Sequence, residues 1–266
     1  MFVDKNNTVY VLNRQENKIF IWNNNSVYSR EILFDNITNP LFIFITNIRE
    51  IYINHGSSIY QVDRWIPNTN SSVVTMIIDN NNTLYCSILN HHEVIKVCLN
   101  DNITTPTIAA GTGNPGSGPN ELAGPMGILV DENFDVYVTE YRNNQIQLFS
   151  SGQLNGKTVA GDGSADVTIT LNCPSGLTMD ADKHLFIVDK GNHRIIGSGI
   201  YGYRCIAGCD GPGFYSYNLF DPWVLHFNNA GNLFVTDHTN YRIQKFLLLP
   251  NSCSKWIKYV LIKIVY

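Results

Sequence analysis

The sequence predicts an all-β fold, a six-bladed β-propeller of four-stranded antiparallel blades that fills one domain over residues 1–266. Three observations carry this prediction. A unit recurs six times in which an acidic, amide or hydroxyl residue is followed by an aromatic six positions on and an aliphatic fifteen positions on. Within each unit, short runs rich in β-branched and aromatic residues are separated by Asn, Asp and Gly turns. No segment sustains a 3.6-residue apolar period, so helix is expected to be nearly absent.

The units run in order along the chain. The first is Asp4, Tyr10 and Ile19, and the second is Thr46 and Tyr52, which loses about two residues before Ile59. Asp79, Tyr85 and Val94 follow, then Asp131, Tyr137 and Ile146, then Asp180, Phe186 and Ile195, then Asn228, Phe234 and Ile243. The steps between units are 42, 33, 52, 49 and 48 residues. In the fourth unit the strands read as Gly127–Asp131, Asp135–Thr139 and Gln145–Phe149. A fourth run precedes a glycine: Thr158–Ala160 here, Arg204–Ala207 and Ile108–Ala110 in its neighbours.

Four strands per repeat, six times over, describe propeller blades. One such sheet cannot cover both of its own faces, whereas sheets placed radially bury each face against the next. The 33-residue step leaves little room between Trp65 and Val73, so the second blade is expected to lack a full outer strand. Met1 falls within an innermost strand, so Lys258–Tyr266 is expected to complete the last blade, with residues 254–266 as a closing strand or tail.

Composition narrows the function. Charged residues are 15%, hydrophobic residues 44% and the formal net charge is −4. The chain is too apolar for disorder, and its net sign is wrong for a polyanion. Basic residues are scattered among acidic ones, so nucleic acid is not an expected partner. The start shows no basic, then apolar, export signal, and no apolar run is long enough to span a bilayer. Six cysteines and six N-x-S/T sequons, at Asn6, Asn24, Asn36, Asn70, Asn81 and Asn102, lean the other way, toward an extracellular glycoprotein. The compartment therefore stays open. Cys205 and Cys209 lie between a short disulfide and free buried thiols, and their spacing is not a metal-ligand pattern.

Pro174-Ser-Gly-Leu-Thr-Met-Asp180, Leu185-Phe-Ile-Val-Asp189 and Gly191-Asn-His-Arg-Ile195 together resemble an NHL repeat. Gly231-Asn-Leu-Phe-Val-Thr-Asp237 with Asn240-Tyr-Arg-Ile-Gln-Lys-Phe246 does so too. The resemblance is close over residues 108–247 and faint before them, and it implies a six-bladed propeller. It says little about activity, because NHL propellers serve in ligase-associated binding, RNA binding, extracellular scaffolds and a few enzymes.

Repeat registration selects the candidate residues. Positions just after the proline slot should meet at the channel mouth: Leu41, Val74, Met126, Ser175 and Trp223. This ring is mostly apolar and lacks the convergent donors that a metal-dependent lyase or lactonase needs. It suits an apolar recess for a side chain or peptide. The ring at the end of each second strand is Asn13, His55, Ile88, Glu140, Asp189 and Asp237. There Asp189 and Asp237 are expected to serve the repeat's own turn and to pair with Arg194 and Arg242. The seven histidines are read at different registers, so no three-His cage is expected, and the His91–His92 turn is read as solvated. His226, in mid-strand, is the one histidine with a prospect of pointing inward. No G-x-S-x-G elbow is present, and the glycine loops lack a following helix to cradle phosphate.

The resulting expectation is a non-enzymatic interaction module that binds a protein or peptide at the channel mouth and loop face, through Trp223, Met126, Tyr215 and Tyr217. No cofactor or metal is expected. Catalysis stays open with the balance against it, the alternatives being a metal-dependent lyase or lactonase, and a ligase-type or RNA-binding NHL propeller. The oligomeric state is not legible.

Overall fold

The structure is a computed structural model that describes residues 1–4, 6–13, 15–23, 26, 28–33, 43–45, 51–54, 62–63, 73–99, 105–164, 169–248 and 256–260. It is all-β, and its described residues form helix only as two single 3₁₀ turns, Leu89–His91 and Lys190–Asn192.

The first sheet comprises β1 (Phe2–Val3), β2 (Val9–Asn13), β3 (Lys18–Trp22) and β4 (Arg30–Leu33). The second has β5 (Ile43–Ile45), β6 (Ile51–Asn54) and β7 (Val62–Asp63). The third has β8 (Val73–Ile78), β9 (Thr83–Ile88), β10 (Glu93–Cys98) and β11 (Thr107–Gly111). The fourth has β12 (Pro125–Val130), β13 (Val136–Glu140), β14 (Gln145–Phe149) and β15 (Lys157–Gly161). The fifth has β16 (Leu177–Met179), β17 (Leu185–Asp189), β18 (Arg194–Gly197) and β19 (Arg204–Ala207). The last has β20 (Pro222–Phe227), β21 (Leu233–Asp237), β22 (Arg242–Leu248) and β23 (Trp256–Val260). Every neighbour pair is antiparallel and consecutive in sequence.

The blade count differs from expectation. Five four-stranded blades form, not six, and the second repeat is a three-stranded sheet among the described residues. The reason is length, since its 33-residue step is the shortest in the chain. The last blade takes its outer strand from the C-terminal segment, where β23 (Trp256–Val260) pairs with β22 and includes the first residues of the expected Lys258–Tyr266 strand. Residues 261–266 lie outside the described residues.

The first strands β1, β5, β8, β12, β16 and β20 contact one another in a ring, and β20 returns to β1. The core accordingly lies between sheets. Tyr85, Val94 and Ala110 of the third sheet pack on Ile128, Val136, Val138 and Phe149 of the fourth. Phe186, Val188 and Ile195 pack on Leu225, Leu233, Val235 and Phe246. Met1, Val9 and Val11 meet Phe234 and Ile243, which closes the ring. Each face is covered by a neighbour, so β17 is buried at all five positions instead of alternating.

The repeat marker is a real contact. The carboxylate of Asp4 accepts backbone N–H groups of Asn6 and Thr8, and Tyr10 Oη donates to its other oxygen at 3.1 Å. Asp79 does the same for Asn81, Thr83 and Tyr85. The aliphatic fifteen on sits at a register shift against the outer strand, at Val94, Ile146 and Ile195.

Candidate functional site at the channel mouth

Incoming loops and second-to-third-strand turns share one face of the ring, and the sequence-predicted residues there separate into three groups. The first is a set of fully buried carboxylates. Asp189 accepts from the Asn172 backbone N–H at 2.7 Å, from Asn192 Nδ2 at 2.9 Å and from Arg194 Nε at 2.7 Å. Asp237 accepts from the Phe220 N–H at 2.7 Å, from Asn240, from Arg242 Nε at 2.6 Å and from Gln244 Nε2 at 2.9 Å. Glu140 accepts from the Ala123 N–H, Asn143 Nδ2 and Gln145 Nε2. Burial raises the Glu140 carboxyl even against these three donors. All three tie a turn to the loop that precedes their own blade, and they point their oxygens at protein donors rather than at the channel. The Asn three residues beyond each carboxylate was not singled out in the sequence, although its spacing repeats at Asn143, Asn192 and Asn240.

A second recurring contact joins neighbouring blades. His92, Asn144 and His193 all sit in the left-handed region, with φ of 54°, 53° and 57°. The Nδ1 of His92 accepts the Gly124 N–H at 3.1 Å, Asn144 Oδ1 accepts the Cys173 N–H at 2.9 Å, and His193 Nδ1 accepts the Asp221 N–H at 3.1 Å. These donors precede Pro125, Pro174 and Pro222. A glycine ends or directly follows the outer strand on each of these blades because a Cβ there would lie 2.3, 2.1 or 2.4 Å from the carbonyl of His92, Asn144 or His193 (at Gly111, Gly161 and Gly208). Two sequence expectations are corrected here: His92 and His193 share one register, and His92 is buried rather than solvated. His226 packs edge-on against Phe2 at 5.3 Å, and His55 lies outside the described residues.

The third group fills the mouth. Trp223 is not exposed to an open apolar recess. Lys190 Nζ lies 4.8 Å from its ring centroid and 5.8 Å from that of Tyr141, and forms a 3.0 Å ion pair with Asp221. Trp223 Nε1 donates to Asp221 Oδ2 at 3.0 Å, and His238 Nδ1 lies 3.3 Å from the same oxygen. Burial alone would raise the Asp221 carboxyl, but the Lys190 and Trp223 hydrogen bonds hold it below the usual range. A hydrogen bond with Cys173 raises the Tyr141 phenol. Cys173 and Asp221 occupy, at φ of 48° and 54°, the pre-proline position that Gly124 fills in the fourth blade, a strained conformation for residues with a Cβ. Met126 is 7% exposed, which leaves little of it for a ligand, and Ser175 is buried with its Oγ on the Trp223 carbonyl. Leu41 lies outside the described residues.

Tyr215 and Tyr217 lie outward, on the loop between β19 and β20. With Phe214 they are 71%, 42% and 74% exposed, and the two tyrosine rings stack 5.6 Å apart. The Cys205–Cys209 disulfide forms at the root of this loop, with Cα atoms 5.8 Å apart.

Residues 171–197 match the family model described as NHL repeat. The chain is a β-propeller that carries an NHL repeat in its fifth sheet. The propeller is similar to virginiamycin B lyase from Staphylococcus aureus, with 15% identity over 99% of this chain and 83% of that one and a TM-score of 0.65. It is similar to an auxiliary nutrient binding protein from Bacteroides thetaiotaomicron, with 18% identity, 73% and 58% coverage and a TM-score of 0.53. A nidogen/laminin complex matches at 16% identity, 96% and 75% coverage and a TM-score of 0.50. At these identities the likeness is one of fold. No curated protein matches the chain by sequence.

Among the described residues, the one group of three metal-type donors within reach of one another is Asp180, Asp182 and His184. That group lies in the hairpin turn between β16 and β17, where Asp180 accepts the His184 N–H as Asp4 accepts that of Thr8. No helix of the described residues is long and apolar enough to cross a membrane.

Proposed function

We propose that the propeller is a non-enzymatic binding module that takes a peptide segment of a protein partner on the loop between β19 and β20. One comparison within the chain carries this reading. Gly111–Pro125 and Gly208–Pro222 share a backbone frame: both have a parallel bridge, Pro115 to Leu122 and Pro212 to Leu219, and both are held from the next turn, by Asn143 on the Gly116 carbonyl and Asn240 on the Gly213 carbonyl. In that shared frame Phe214, Tyr215 and Tyr217 stand where the first loop has Ser117, Gly118 and Asn120. The frame does not need aromatics, and exposing three of them costs solvation that a partner would recover. A rigid loop also loses little entropy on binding. Trp223, fixed by Lys190 and Asp221, stands in β20 just past the end of this loop.

A random-peptide display library panned on the immobilised propeller tests the reading, with F214S/Y215G/Y217N as comparator. Selected peptides that bind the parent at least about tenfold more tightly support it. Equal binding to both proteins, or no binders, overturns it. Stoichiometric zinc or calcium in the purified protein, with turnover of quinupristin, would replace it with a lyase reading. One neighbour was solved as a catalytically inactive lyase variant with that compound.

A further inference from the structure

We propose that the three inter-blade clips at the channel mouth are latches, and that the two with a histidine acceptor open in acid while the asparagine one does not. A backbone N–H can only donate. His92 and His193 can therefore accept from Gly124 and Asp221 only with a lone pair on Nδ1 and the proton on Nε2. A protonated imidazole has two donors and no acceptor, so the clip becomes N–H against N–H and leaves a part-buried backbone donor unpaired. The Asn144 amide, which holds Cys173 in the same geometry, does not titrate.

Each ring faces a defined set of charged groups. His92 is buried and faces the Arg142 guanidinium from the β13–β14 turn, with His91 and Glu93 flanking it on its own segment. Burial first, then Arg142 and His91, lowers its pKa. The unfolded chain then takes up the proton before the native chain does. Stability is therefore full above the ordinary imidazole value of about 6.5 and falls as the pH drops from there toward the lower native value. His193 lies edge-on to Phe220 at 5.1 Å, among Asp189, Lys190 and Arg194 of its own turn and Asp221 of the next blade. Asp189 is paired with Arg194, and Asp221 with Lys190. Opening this latch frees the backbone of Asp221, the residue whose carboxylate gathers Trp223, Lys190 and His238. Acid would thus loosen the anchor of Trp223 at the end of the proposed binding loop, although the latches themselves do not depend on that function.

Amide hydrogen exchange on the intact chain, read residue by residue at pH 7.5 and pH 5.0 and corrected for intrinsic rates, tests the proposal. The Gly124 and Asp221 amides are expected to lose at least about tenfold in protection while Cys173 stays within about twofold. H92N and H193N, which copy the Asn144 solution, should abolish the acid loss each at its own seam. N144H should create one at Cys173. Equal loss at all three amides, or none at Gly124 and Asp221, overturns the proposal. If the variants fail to fold, the contrast among the three parent amides still decides. Peptide binding is measured separately, so failure of the latches and failure of the binding reading are distinguishable.

Discussion

Arg242 and Asp237 form the most buried ion pair among the described residues, Nε to Oδ2 at 2.6 Å, and the same guanidinium holds the aromatic loop. Its Nη1 donates to the Phe214 carbonyl, and its Nη2 donates to those of Tyr215 and Asn218. One side chain therefore couples the end of β21 to the outward surface that carries Tyr215 and Tyr217. Arg194 repeats the pair with Asp189, but among the described residues its guanidinium otherwise reaches one carbonyl, that of Thr170, and it is more exposed.

Replacing Arg242 should therefore cost more than replacing Arg194. R242M leaves the Asp237 charge buried with only the neutral donors Phe220 N–H, Asn240 and Gln244, and removes three loop anchors. A loss of about 3–5 kcal/mol in chemical denaturation is expected, against clearly less for R194M. R242K should not rescue it, because an ammonium cannot reproduce the planar fork. Equal losses for the two arginines would show that the loop contacts add nothing.

Thiol reactivity should sort by burial. The Cys86 thiol is buried, and burial pushes its pKa far up, so it should resist maleimide until the chain unfolds. Cys98 and Cys173 are partly exposed and should label in the native protein. Non-reducing peptide mapping should recover Cys205 linked to Cys209. Rapid native labelling of Cys86 would contradict the packing of the third blade.

Alkaline pH should destabilise the fold through two tyrosines. Burial, with Asp79 adding to it, pushes Tyr85 up to about 12, and burial pushes Tyr203 up to about 12. Their native values lie above the unfolded value near 10, so the native state keeps its protons longer. The stability they supply is full below pH 10 and is lost as pH rises toward 12. Thermal denaturation at stepped pH should show this decline, and Y85F/Y203F should flatten it. An unchanged slope would contradict the assignment.

The repeat unit, the strand runs and the turn carboxylates were all legible, because each is a local pattern that the backbone must obey wherever it occurs. Arg204–Ala207 and Gln145–Phe149 are observed strands with the bounds read from the sequence. The arginine partners were legible too, since Asp189 with Arg194 and Asp237 with Arg242 face each other across a tight hairpin at the same spacing. The sequence suggests an apolar recess at Trp223, whereas the structure sets Lys190 over its ring. Its cover, Lys190, comes from the previous blade, and no spacing along the chain reports on that approach. The His92 and His193 clips were missed for the same reason, although their common register was there to be counted.

By itself the amino-acid order determined an all-β propeller, with apolar residues on both faces of nearly every central strand because neither face meets water. The tertiary structure alone decided that Met1 and β2 close the ring against β21 and β22, that Lys190 occupies the mouth, and that the aromatics of one loop stand outward on a frame its sibling builds without them. Those outcomes depend on how side chains of adjacent blades meet across a seam. That meeting is set by the radius and tilt of the whole ring, quantities that no single repeat encodes.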